Sequence, residues 1–116
     1  MNVENTKKQM RKGVLELCIL AIISEEETYS TDIIAKLKEA ELIVKEGTLY
    51  PLLSRLKTAG LLHYNWRESE NSPPRKYYFV TEEGTNFLNN LWSSWSQLVS
   101  SVNLTTKQLQ TVEKLE

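Results

Sequence analysis

Apolar residues along this chain repeat first with helical spacing, then alternate, then return to helical spacing. From Thr6 to Ser24, Met10, Val14, Leu17 and Ala21 fall on one side, with Leu15, Cys18 and Ile22 beside them. Nearly every residue between Val14 and Ile23 is apolar. That predicts a helix buried almost all round, serving a core and touching a further element or chain. Glu25, Glu26 and Glu27 end it in a polar turn. A second helix is expected from Ser30, with Ser30 as its N-cap and Asp32 in the first turn. Ile33, Ile34 and Leu37 form its inward face, and it fades at Ala40 or Glu41. After a short connection, Leu49, Leu52, Leu53 and Leu56 recur at i, i+3, i+4 and i+7. This third helix should start between Glu46 and Thr48, because Pro51 lacks a backbone donor. Gly60 is placed to end it.

Beyond Gly60 the period changes to two. Leu62, Tyr64 and Trp66 alternate with His63 and Asn65, which predicts a strand from Leu61 to Trp66. Lys76 to Val80 reads as a second strand, and the polar stretch Glu68 to Pro74 as a loop longer than a tight turn. Thr81, Glu82 and Glu83 then open a last helix by capping and by charge. Its apolar positions include Phe87, Leu88, Leu91, Trp92, Trp95, Leu98, Val99 and Val102. Gly84 reads as a weak point early in that helix.

Three helices, a hairpin and a further helix are the element order of a winged helix-turn-helix domain. The expected fold is mainly α with a small β-hairpin: a DNA-binding domain over 1–80, a C-terminal dimerisation helix over 81–103, and a polar, disordered tail over 104–116. In such domains the third helix enters the major groove and the hairpin reaches neighbouring phosphates. With its leucines inward, the third helix turns Gly47, Pro51, Ser54 and Thr58 outward, flanked by Tyr50 and Arg55. Those side chains can meet phosphates or base edges.

Charge refines this picture. The 116 residues suit one domain, and 14 basic against 15 acidic residues give a net charge of -1. The cations cluster, however: Lys7, Lys8, Arg11 and Lys12, then Arg55 and Lys57, then Arg67, Arg75 and Lys76. Phosphate attraction is screened within about 8–10 Å, so local clusters count for more than the total. Cys18 stands alone, which excludes an intrachain disulfide and suggests a buried thiol. The basic start followed by an apolar run imitates a signal peptide, but Glu16 interrupts it and no cleavage site follows. The run is also too short to span a bilayer. A cytoplasmic protein without membrane contact is expected. One His and one Cys cannot build a zinc site, no phosphate loop appears among four glycines, and no nucleophile–base pairing stands out. Neither catalysis, a metal nor a cofactor is expected.

Glu46 to Leu61 reads Glu-Gly-Thr-Leu-Tyr-Pro-Leu-Leu-Ser-Arg-Leu-Lys-Thr-Ala-Gly-Leu, and Pro74 to Gly84 reads Pro-Arg-Lys-Tyr-Tyr-Phe-Val-Thr-Glu-Glu-Gly. Together they resemble the recognition helix and second wing strand of the PadR transcriptional regulators, over roughly Gly13 to Trp95. The resemblance implies a homodimeric repressor on a palindromic promoter site in double-stranded DNA. It assigns DNA contact to Thr48, Tyr50, Ser54 and Arg55, and to the basic wing residues Arg75 and Lys76; Lys57 adds a cation beside them. Two departures stand out. Family members often carry Tyr-Gly before the second helix, where this chain has Tyr29-Ser30. Ser72, Pro73 and Pro74 replace the glycines common before the basic pair.

The last helix carries a stripe too broad for a three-helix core to cover. Leu88, Leu91, Trp92, Trp95, Leu98, Val99 and Val102 are therefore the expected dimer interface, since such patches mark contacts. Two copies about a twofold axis would set their recognition helices one DNA turn apart. Some PadR-like regulators hold flat aromatic drugs between tryptophans at the dimer centre, which makes Trp92 and Trp95 candidate contacts for a small aromatic effector. A separate alternative is a winged-helix protein-interaction module without DNA binding, because this fold serves protein contacts too.

Overall fold

In the computed structural model, which describes residues 1–110, four helices surround a small sheet. The order is α1 (Val3–Glu25), β1 (Thr28–Tyr29), α2 (Ser30–Glu39), α3 (Glu46–Thr58), β2 (Leu62–Ser69), β3 (Ser72–Val80) and α4 (Glu82–Thr105). The sheet is antiparallel in the order β1-β3-β2. β1 is an addition to the expected hairpin. Its two residues pair Thr28 with Tyr78 and Tyr29 with Tyr77. So short a strand leaves no alternation to read.

The core joins Leu15, Ile19, Leu20 and Ile23 of α1 to Ile33 and Leu37 of α2, Leu49, Leu53 and Leu56 of α3, and Leu62 and Tyr78 of the sheet. α1 is therefore not buried all round. Its Met10 and Ala21 are exposed, and Val14, Leu17 and Cys18 are half-buried. α1 also starts earlier than expected, because the Asn2 side chain accepts from the Glu4 and Asn5 backbone N–H groups and caps it.

Two helix ends follow one hydrogen-bond pattern. After α3, Gly60 adopts φ 81, with Gly60 N donating to Lys57 O and Leu61 N to Leu56 O. After α2, Glu41 takes the same left-handed conformation at φ 63, and Leu42 N donates to Leu37 O. Both are Schellman ends, which satisfy carbonyls the helix leaves unpaired. Pro51 lies inside α3 and removes the bond to the Gly47 carbonyl, but both residues face solvent. Ser30 does not cap α2. Tyr29 occupies the N-cap position without a side-chain bond, and Ser30 is the first helical residue.

The hairpin is tighter than its sequence suggested. Ser69 pairs with Ser72, so Glu70 and Asn71 alone make the turn, with Asn71 at φ 64. Asn tolerates that region better than most side chains. A register shift between Arg67 and Ser69 lies opposite Pro73 and Pro74, which have no N–H to donate.

α4 begins as predicted, with Thr81 Oγ1 accepting from Gly84 N at 3.0 Å. The same hydroxyl donates to Gly60 O at 2.7 Å, tying the start of α4 to the end of α3. Gly84 is a site of close packing, not a weakness: a Cβ there would lie 2.1 Å from Leu61 O. The helix continues to Thr105, and residues 107–110 form a further turn. The expectation of a disordered tail concerns residues 111–116 as well, which lie outside the described residues. α4 projects along α1, giving extents of 56 × 28 × 26 Å. The radius of gyration is 17.1 Å, against about 13 Å for a compact domain of this length.

Gly84→Ala would ordinarily strengthen a helix. Here it should destabilise by about 1–3 kcal/mol through overpacking against the Leu61 carbonyl. Denaturant unfolding of the two proteins checks this, and a more stable alanine variant would contradict the packing.

Candidate nucleic-acid interface

α3 is set in rotation by Leu49, Leu53 and Leu56, all buried. At 100° per residue this turns Gly47, Pro51, Ser54 and Thr58 to solvent. Tyr50 and Lys57 then lie on one flank, and Thr48 and Arg55 on the other.

The strand period sorts the hairpin side chains in the same way. Trp66 sits opposite Lys76 and Tyr64 opposite Tyr78, on the face towards α3. Lys57 Nζ from α3 lies 5.2 Å from the centre of the Tyr64 ring. Lys76 Nζ approaches the same ring at 4.7 Å and the Trp66 ring at 5.5 Å. One ammonium from the helix and one from the hairpin thus gather around a single ring, whose π-face favours cations.

On the other face Arg67 sits opposite Arg75, a like-charge pair that is unfavourable by itself. Glu27 accepts from Arg67, and the Tyr77 ring lies 4.2 Å from the same guanidinium. Arg75 rests over the Tyr29 ring at 4.7 Å.

Between α3 and the hairpin lies an open cleft of about 310 Å³. Tyr50 and Ser54 line it from α3, Trp66, Arg75 and Lys76 from the hairpin, and Ser30 from the start of α2; among the described residues no carboxylate lines it. Ser30, only 4% exposed, places its hydroxyl 3.2 Å from the Tyr50 hydroxyl. Tyr50 is therefore held at its tip while 45% of its surface stays open. Behind it, burial pushes the Tyr78 phenol up from its ordinary value, with Tyr50 and Tyr64 adding to the effect. The cleft thus offers hydroxyl groups and two cations to an anion, with no competing negative group among the described residues.

Of the residues expected to meet DNA, Tyr50, Ser54, Arg75 and Lys76 come together here, while Lys57 lies over the Tyr64 ring that it shares with Lys76. Arg55 does not join them, because its guanidinium pairs with Glu16 of α1. Thr48 shares that flank. Ser30 and Trp66 were not anticipated. Once the hairpin register is known, alternation alone puts Trp66 beside Lys76.

A second surface runs between α1 and α4. An apolar groove of about 570 Å³ is lined by Met10, Leu17, Leu91, Trp95, Leu98 and Val102 among others. An adjoining recess includes Cys18, Leu42, Leu88 and Trp92. Burial pushes the Cys18 thiol up from its ordinary value. Leu88, Leu91 and Val99 are half-buried against the chain itself, while Trp92, Trp95, Leu98 and Val102 are exposed. Among the described residues, no helix is long and apolar enough to cross a membrane.

Known proteins share this fold. Residues 19–90 match the family described as "Transcriptional regulator PadR-like family". The chain is similar to the solved structure of a PadR-like transcription factor from Bacteroides fragilis, with 56% identity and a TM-score of 0.74 over 87% of this chain and 98% of that one. It also resembles a PadR family transcriptional regulator from Eggerthella lenta, with 31% identity and a TM-score of 0.82 over 89% and 90% of the two chains. A PadR-like regulator from Bacillus cereus matches at 41% identity and a TM-score of 0.75, over 84% and 95%. An uncharacterised protein of Lysinibacillus sphaericus is 26% identical over 102 residues, 85% of this chain and 94% of its own length. With its winged helix, its cationic cleft and these relatives, the chain belongs to the PadR-like family of transcriptional regulators, a class that works by binding DNA and not by catalysis.

Proposed function

We propose that this chain is a homodimeric repressor that binds a palindromic promoter site. In this reading α3 enters the major groove and the hairpin lies on the adjacent backbone. The observation that carries it is the uncovered cleft between α3 and the hairpin, where Tyr50, Ser54, Arg75 and Lys76 converge without a carboxylate. A winged-helix protein adaptor would have no need of such a site.

The second copy is inferred from α4. Of its 24 residues only Gly84 is buried. Trp92 is 60% exposed, Leu98 55% and Val102 50%. A stripe of this size lined up with the exposed side of α1 fits the same surface of a second chain about a twofold axis. The groove along it supports one further role. Its volume of about 570 Å³ falls among those of small-molecule sites, and Trp95 lines it. A planar aromatic effector stacked on Trp95, with Trp92 nearby, would bias the spacing of the two DNA-binding units and so the affinity.

Four outcomes are expected. Lys57, Arg75 and Lys76 supply three cations per protomer, six per pair. Affinity for a duplex should then fall roughly 10³-fold between about 50 and 200 mM salt. A flat response would favour the adaptor. Lys76→Ala should weaken all duplexes alike and flatten that slope by about two per dimer. Arg55→Ala should cost less, because Glu16 already offsets that charge. Leu98→Asp should halve the mass seen in light scattering while leaving the fold intact, since Leu98 packs little against its own chain. A surviving dimer would place the interface elsewhere.

A further inference from the structure

Trp66 has no place in the DNA contacts assigned so far, and its surroundings suggest one. The indole is 61% exposed, although a tryptophan has more to gain from burial than almost any side chain. It is held in place. The Tyr64 ring meets it edge-on at 5.7 Å and 89°, and Lys76, its cross-strand neighbour, lies over its face. It forms one wall of the cleft whose other groups are the Tyr50 and Ser54 hydroxyls and the Arg75 and Lys76 cations. An anion seated between those groups brings whatever is attached to it against the indole.

We propose that Trp66 is a direct DNA contact, packing against the deoxyribose that follows a backbone phosphate held in the cleft. The chemistry favours a sugar-phosphate chain over a protein partner. Cations and hydroxyls stand beside one apolar wall, as phosphates stand beside the less polar faces of sugars. The contact is to the backbone, so it adds affinity on any sequence. It carries no charge, so it releases no counterion. The proposal rests on the DNA-binding reading above.

The test uses the full-length protein and a pool of random-sequence duplexes of about thirty base pairs, at low salt where backbone contacts dominate. Trp66→Ala should weaken binding roughly fivefold to tenfold, from lost apolar contact. The slope of affinity against salt should stay at the wild-type value. A hairpin that merely collapsed would displace Arg75 and Lys76 and flatten the slope as well, which would overturn the proposal. Trp66→Phe provides a second readout. Trp92 and Trp95 lie on α4, outside the cleft, so the change in tryptophan emission on adding duplex should be lost in this variant. If wild type binds duplex while Trp66→Ala binds equally well and Trp66→Phe keeps the emission change, Trp66 is not a contact and the DNA-binding reading stands. If wild type binds no duplex, both readings fail together.

Discussion

The packing of Leu49, Leu53 and Leu56 against Ile19, Ile33 and their neighbours fixes which side of α3 meets the outside world. A helix offers one side chain every 100°, so a single-residue slip in that seam would carry Tyr50 into the core and Leu49 to the surface. Burying three leucines is worth several kcal/mol by area, about 1.5–3 each. That dwarfs any contact on the polar side. The polar side is therefore defined by exclusion: it is what the leucines leave behind. The hydroxyl contact between Ser30 and Tyr50 then refines the position of one ring on it. The Schellman end at Gly60 and the Thr81 bond to Gly60 O hold the hairpin and α4 to the same frame.

The opposite logic governs α4. There the apolar stripe outruns the core available to one chain, and the molecule stays elongated. The surplus lies along one groove with the exposed side of α1, from Met10 to Val102. Glu16 leaves that same helix, α1, to pair with Arg55 on α3. One helix thus connects the apolar groove to a cation on α3.

Much of this was legible because it is local. The leucine seam, the stop at Gly60 and the cap at Thr81 depend on residues within a turn or two of one another. What escaped depends on pairing across the chain. β1 exists only because β3 is there to bond it. Ser30 looks like a cap until Tyr50, distant in sequence, claims its hydroxyl. Gly84 looks like a helix breaker until Leu61 O is seen where its Cβ would be. Pro73 and Pro74 suggested a long loop, whereas the register shift lets them sit in a strand. In the site, Tyr50 and Ser54 followed from helical phase, but the separation of Arg55 by Glu16 and the arrival of Trp66 beside Lys76 required the tertiary fold.

In the proposed complex, two copies of this cleft grip one duplex symmetrically. Selecting fragments from genomic DNA with the purified protein, then mapping the enriched sites by hydroxyl-radical cleavage, tests it most directly. An inverted repeat with matching protected patches in successive grooves, about ten base pairs apart, is expected. Enrichment of no fragment, or protection confined to a single unrepeated patch, would contradict it.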